Sequence, residues 1–237
     1  MQTVTQILAH GAAILGIALP PEAYAAFEIY YDYLERRSRD FNLTAISGVE
    51  DVARLHFLDC LALLKAADFE GAHVIDVGSG AGFPGLPLTI AEPSVDMTLL
   101  DATGKRVAFL SELCAELGIG AACVHSRAED ASHCADKRQR YDIALSRAVA
   151  RLDVLCELCL PFVRVGGSFL AMKSIDCLDE ITEAHGSIIT LGGELEKQLD
   201  YTIPGTDIKH RVVIIRKLSS TPSMYPRRFA KIQKSPL

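Results

Sequence analysis

The chain has 237 residues, nearly half of them apolar, and a formal net charge of −6. That apolar share excludes a disordered chain, and the sign of the charge argues against coating nucleic acid through bulk attraction. With no apolar run near the roughly eighteen residues of a bilayer span, no basic signal-peptide start and seven irregularly spaced cysteines, a cytoplasmic protein with reduced thiols and no membrane contact is expected.

The first seventy residues read as helical. Pro20-Pro21 opens a helix in which Ala26, Ile29, Tyr30, Tyr33 and Leu34 follow the i, i+3, i+4, i+7, i+8 stripe of one packed face, and another helix is expected over 49–67. From residue 73 the pattern alternates: strand 73–77, helix 84–91, strand 96–101, helix 104–117, strand 121–125 and a helical turn near 128. Strand 141–145, helix 151–162, strand 166–173 and helix 176–185 follow. Repeated β-α units imply a mainly parallel, doubly wound sheet. Strands 194–201 and 209–217 are separated by a turn-rich link too short for a helix, so they form an antiparallel hairpin. Residues 218–237 carry three prolines and no helical stripe, and read as an exposed basic tail. The expected organisation is a helical segment 1–70, a catalytic α/β domain 71–217 and the tail 218–237. From Arg216 to the end there are six bases and no acid; other basic clusters fall at Arg36, Arg37 and Arg39, at Lys137, Arg138 and Arg140, and at Arg147 and Arg151. Each is either an anchor for RNA or a solvated face.

Residues 73–85, HVIDVGSGAGFPG, run from a buried strand into a glycine loop and a helix with Pro84 at its first position. Loop amides and the helix N-terminus then face one ligand. Gly80, Gly82 and Gly85 satisfy the dinucleotide spacing, but Asp76 stands at the strand end, two residues before Gly78. A carboxylate there repels a pyrophosphate and suits a cation. S-adenosylmethionine carries an ammonium and a sulfonium, so the order D-x-G-x-G-x-G favours it, and the antiparallel final hairpin is the ending of that methyltransferase fold.

Asp101, ending the second strand, suits a ribose, with a helix N-cap as the alternative. After the third strand Ala128 and Glu129 are placed to read an adenine edge, while Ser126 and Glu129 also have capping-box spacing. Arg147, at the fourth strand end, is a permanent planar donor for a carboxylate, a phosphate or the O6/N7 edge of guanine, or else a salt bridge across the strand ends. Neither the Asn/Asp-Pro-Pro-aromatic motif of amino-group methyltransferases nor a Pro-Cys nucleophile is present. His56 and Asp59 orient one another near the cofactor or are structural, and Lys173 meets RNA phosphate or is an ordinary surface lysine. Cys156 and Cys159 read as core, and Cys123, His125, His133 and Cys134 lack metal-ligand spacing, so no metal is expected.

Seven blocks now carry a resemblance: Phe41-Asn-Leu-Thr44, His56-Phe-Leu-Asp59, Asp76 to Gly85, Leu100 to Arg106, Ser146-Arg-Ala148, Met172-Lys-Ser174 and Tyr225-Pro-Arg-Arg228. In this order they resemble the RsmG (GidB) family of 16S ribosomal RNA guanine-N7 methyltransferases. The resemblance implies a class I S-adenosylmethionine-dependent fold with a helical N-terminal extension. It also implies a cofactor site at Gly78, Phe83, Ala128, Glu129 and Arg147 with Asp101 on the ribose side, beside Asp76 and Gly80 of the loop, and Arg147 as the catalytic candidate. The implied substrate is guanine 527 in the 530 loop of 16S RNA, free or in the small subunit, met by a monomer. Cys60 and Ala102 depart from the family, which carries serine at both places. Two rivals stand beside this reading, an NAD-dependent dehydrogenase and a non-catalytic ribosome-assembly module.

Overall fold

The computed structural model describes residues 2–41, 43–147 and 150–237, with side chains except at 38–41. Asn42 and the Phe41 side chain of one family block, the Arg39 side chain and Ala148 lie outside the described residues. Helix α1 (Val4–Leu15) starts at a Thr3–Gln6 capping box and ends at Gly16 in the left-handed conformation, φ 70°. Helix α2 (Pro21–Phe41) buries Tyr30 and Leu34 of the expected stripe and packs Ala26 and Tyr33 against the core, but the buried face is turned toward Ala23 and Phe27, which leaves Ile29 39% exposed. The helix carries apolar residues on two faces, and its partner chooses between them. Phe27 and Tyr30 meet Phe57 at ring distances of 4.9 and 5.1 Å.

Phe57 belongs to the helical stretch expected over 49–67, which changes pitch along its length. It runs as α3 (Val49–Val52), a π-helical segment (Ala53–Leu58), α4 (Asp59–Leu61) and a 3-10 turn (Ala62–Lys65). Widened turns of this kind concentrate at functional sites; His56 comes from this one, and Asp59 follows it as the first residue of α4.

The sheet is built from β1 (His73–Val77), β2 (Asp96–Asp101), β3 (Ala122–His125), β4 (Tyr141–Arg147), β5 (Val163–Ser174), β6 (Gly193–Thr202) and β7 (Lys209–Lys217), in the order β3-β2-β1-β4-β5-β7-β6. The first five strands are parallel, and β7 is antiparallel to both of its neighbours. The expected topology, including the terminal hairpin, is therefore present. Helices α5 (Gly85–Ala91), α6 (Gly104–Leu117), α7 (Ala128–Ala131), α8 (Leu152–Cys159), α9 (Leu178–Glu183) and α10 (His185–Thr190) follow the strands. Alternate strand residues enter two cores, one on each face. Val74, Leu99, Leu145 and Leu170 join the N-terminal helices and α6, while Ile75, Leu100, Ala144 and Phe169 join α8 to α10. The N-terminal helices thus share one core with the sheet.

Residues 218–237 are not an exposed tail. They end in a helix, α11 (Phe229–Lys234), whose Ile232 is fully buried in the α8 core. The segment carries its own anchors. Arg227 makes paired contacts to the fully buried Glu157, at 2.6 Å for the shortest, and Arg138 donates to the backbone of Thr221, Pro222 and Tyr225. Buried Lys217 donates to the Leu160 and Leu191 carbonyls and to the Thr221 hydroxyl, so it closes the ends of two helical segments at once.

Candidate active site

Strand order reverses between β1 and β4, and there the carboxyl ends of the strands open onto a cavity of about 1200 Å³. Its floor is the 78–85 loop. Gly80 has φ 60° and Gly82 φ 103°, and a Cβ on Gly82 would stand 2.6 Å from the Tyr30 hydroxyl. Tyr30 donates to the Ala81 carbonyl at 2.6 Å and stacks on Phe83 at 5.4 Å, so α2 sets the height of the loop.

The loop amides are already used by the protein. Gly78 and Ser79 donate to the Leu100 carbonyl, Gly80 donates to Asp101 Oδ2 at 3.0 Å, and the α5 amide of Gly85 donates to Asp76 Oδ2 at 3.0 Å. This corrects the expectation that they and the helix N-terminus face a ligand directly. Pro84 is likewise the residue before the helix rather than its first position. Asp76 is fully buried and lies beneath the loop, outside the cavity wall, because it sits on the sheet face that meets α5. Burial pushes its carboxyl up to about 7 against the Gly85 hydrogen bond, and Oδ1 has no partner among the described residues. Asp101 does line the cavity; its Oδ1 accepts from the Thr103 amide at 2.8 Å, while Thr103, not Asp101, precedes α6.

Arg147 enters from β4, its side chain 14% exposed. Its guanidinium lies 4.8 Å from the Phe83 ring and donates to the Leu55 carbonyl at 3.2 Å, to Asp59 Oδ2 at 3.1 Å and to His56 Nδ1 at 2.9 Å. Since an arginine only donates, His56 Nδ1 accepts, and its Nε2–H is left for the Thr44 hydroxyl at 2.8 Å. Burial and the Arg147 charge lower the His56 pKa to about 3, so the ring is neutral with both nitrogens committed. Asp59 is the hub. Burial alone would raise its pKa, but hydrogen bonds from His210 and Tyr201, each 2.7 Å to Oδ1, and the Arg147 charge hold it below the usual carboxylate value. Arg147 lines the cavity, and its salt bridge runs to Asp59 of the helical stretch rather than across the strand ends.

The rim is basic. Arg106, Arg127, Arg147, Arg151 and Lys173 line the cavity against the carboxylates Asp59, Asp101 and Glu180. Lys173 is not an ordinary surface lysine: it is 10% exposed, 2.6 Å from Glu180 and bonded to the Ala150 carbonyl. Of the expected cofactor residues, the structure brings Gly78, Gly80, Phe83, Asp101 and Arg147 onto one wall; Ala128 and Glu129 stand beyond Arg127, which Glu129 pairs at 3.0 Å. The Ser126 capping box does not form, because α7 starts after Arg127 and the Ser126 hydroxyl donates to the Arg127 carbonyl. Cys156 and Cys159 are fully buried core residues. Among the described residues no group of three or more His, Cys, Asp or Glu side chains assembles in metal-binding proximity.

Tyr201 and His210 escaped the sequence reading, while Thr44 entered it only as the end of a family block. Nothing in their local pattern marks them; the β6–β7 pairing sets Tyr201 opposite His210, and β5 sets His210 opposite Ser174, at the mouth of the crevice.

The sheet order, the glycine floor and the acid at the end of β2 define an S-adenosylmethionine-dependent methyltransferase of Rossmann-like architecture. Two solved structures share this fold: TrmN from Thermus thermophilus, 20% identical with TM-score 0.53 over 76% of this chain and 53% of that one, and M. jannaschii TYW2 in complex with AdoMet, 12% identical with TM-score 0.53 over 68% and 75%. The sequence pattern of GidB, rRNA small subunit methyltransferase G, matches residues 23–204. Ribosomal RNA small subunit methyltransferase G of Alkaliphilus oremlandii is 44% identical over 98% of both chains, and that of Pelotomaculum thermopropionicum 42% over 100% of both. The chain belongs to the GidB family of rRNA small subunit methyltransferases.

Proposed function

We propose that this chain transfers the methyl group of S-adenosylmethionine to N7 of guanine 527 in the 530 loop of 16S ribosomal RNA, acting as a cytoplasmic monomer on the RNA or the small subunit. The observation that carries this reading is the state of the acids and of His56 in the crevice. Asp59 is held by three side chains, Asp101 by two backbone amides, Glu180 by Lys173, and His56 is neutral with both nitrogens engaged. None of these is free to strip a proton from an amine, and the one imidazole nitrogen on the crevice without a partner among the described residues is His210 Nε2. Guanine N7 has an in-plane lone pair and no proton to lose, so alignment and a fitted field suffice.

The residues present fit the cofactor. Gly78 and Gly80 keep the floor low, Asp101 offers a carboxylate 4% exposed on the crevice for a pair of hydroxyls, and Phe83 with Arg147 forms a flat cationic wall. Asp76, with one oxygen unpartnered, supports the loop from beneath, and Ala128 and Glu129 take the adenine side after β3. When bound, the cofactor supplies an electrophilic sulfonium methyl. Arg147, fixed by Asp59 and His56, acts as the orienting cation of the site. The cation-rich rim suits a polyanion although the whole chain is acidic. Residues 71–217 are the catalytic unit, 1–70 its helical support and 218–237 its basic end.

Single-turnover methyl transfer to 16S RNA tests the reading. The product is expected to cleave at one guanine of the 530 loop after borohydride and aniline treatment. A methylated RNA that resists cleavage overturns the N7 assignment.

A further inference from the structure

Of the two histidines on the crevice, only one has a nitrogen to spare. His56 uses both, whereas His210 uses Nδ1 on Asp59 and has no partner for Nε2 among the described residues. The imidazole lines the cavity and its side chain is 28% exposed, packed edge-on against Tyr201. Its tautomer follows from its neighbours. Asp59 is ionised, and an ionised carboxylate only accepts, so Nδ1 must carry the proton that bridges the 2.7 Å gap. In the neutral ring Nε2 then keeps its lone pair. With Nδ1 turned inward onto a carboxylate 2% exposed, the exposed edge of the ring is the one that bears Nε2.

We infer that His210 is a specificity-determining residue of the methyl-transfer reaction: its Nε2, fixed as a hydrogen-bond acceptor by Asp59, reads the N1–H/N2–H edge of the target guanine. The inference rests on the N7 reading above. A guanine that offers N7 to the methyl donor turns its N1–H and N2–H donors to the opposite side. Adenine has an acceptor at N1 and no amine at C2, so a fixed acceptor on that side accepts guanine and opposes adenine. The polar edges of a base are discriminated by such contacts at about tenfold or more per well-placed partner. The same carboxylate that orients His210 also pairs with Arg147, so the group reading the base and the cation of the cofactor wall share one anchor.

The test uses the full chain and RNA substrates that carry guanine or 2-aminopurine at the target position; the analogue retains N7 and the C2 amine but lacks N1–H and O6, and the His210 variants isolate the part of the preference that runs through Nε2. His210→Asn keeps a donor where Nδ1 stood and removes the Nε2 acceptor; His210→Gln places an amide near the position of Nε2. The wild type is expected to prefer guanine in kcat/KM, His210→Asn to reduce that preference about tenfold, and His210→Gln to restore part of it. Intrinsic differences in N7 reactivity cancel in the ratio between proteins. An unchanged preference in a folded His210→Asn overturns the inference. Should the variants unfold, 15N spectra of histidine-labelled wild type with S-adenosylhomocysteine decide it: the His210 Nε2 resonance is expected to move with guanine RNA and not with the 2-aminopurine RNA, and equal behaviour overturns the proposal. Failure of the wild type to methylate N7 at all rejects the underlying reading instead.

Discussion

Asp76 and Lys217 are both buried, and burial moves each of them toward its neutral form. The Asp76 carboxyl rises from 3.8 to about 7, and the Lys217 ammonium falls from 10.5 to about 7, with the nearby Arg138 charge acting in the same direction. For Asp76 the raised value means that its stabilising contribution is complete below pH 3.8 and is lost as pH rises through about 7. For Lys217 the lowered value means that the contribution is complete above pH 10.5 and is lost as pH falls through about 7. Each shift corresponds to roughly 4 to 5 kcal/mol at most. Together they predict a stability minimum near neutrality in the cofactor-free chain. Urea unfolding from pH 5 to 9 should show that trough; Asp76→Asn should flatten its acid limb and Lys217→Met its alkaline limb. A wild-type profile that peaks at pH 7 would show that neither group titrates in this way. The strand-end position of Asp76 was legible in the sequence, but its turn beneath the loop was not, because that depends on which sheet face α5 covers.

Elements whose periodicity is set within one segment were readable, and those set by a partner were not. The five parallel strands and the β6–β7 hairpin are bounded by glycine and proline turns, so their ranges and order were readable along the chain, though not which face each residue takes. Gly78, Gly80, Asp101 and Arg147 followed, since strand ends and the loops after them in such a sheet point to one crevice, whereas Phe83 came from the family resemblance alone. The phase of α2 depended on Phe57, the role of His210 on strand pairing, and the docking of α11 on a buried acid in α8. Glu157 in that helix is fully buried and accepts the Arg227 backbone amide at 2.8 Å as well as its guanidinium. Removing one partner of such a pair strands the other charge, at about 3–5 kcal/mol, whereas replacing both with apolar groups is closer to neutral. Arg227→Ala should therefore lose that much in urea unfolding, and Glu157→Leu combined with Arg227→Met should recover most of it. A loss below about 1 kcal/mol for the single variant would mean that α11 is not anchored through this pair.

Across the whole molecule, charge is segregated rather than balanced: the chain carries −6 overall, yet five fixed cations meet three carboxylates at the crevice. Continuing from that site, the C-terminal segment contributes two kinds of base. Lys217 and Arg227 are internal ties, while Arg228, Lys231 and Lys234 are exposed on or beside α11. Truncation after Ser220 is therefore a poor probe of RNA binding. It would strip Thr221 from Lys217 and Arg227 from Glu157, and would expose the core under Ile232. The clean probe is Arg228→Gln combined with Lys231→Gln and Lys234→Gln. Exposed substitutions of this kind change stability by about 0.5 kcal/mol or less each, so fold and cofactor affinity should hold. If these cations meet RNA phosphates, the triple variant should raise KM for the RNA substrate at physiological salt. It should also flatten the dependence of log affinity on log salt by about 0.7 to 0.9 for each phosphate that is no longer neutralised. Methylation kinetics from about 50 to 200 mM salt measure both effects together. Identical KM values and an identical salt slope in the two proteins would make the exposed end a solvated surface and leave RNA attraction to the crevice rim alone.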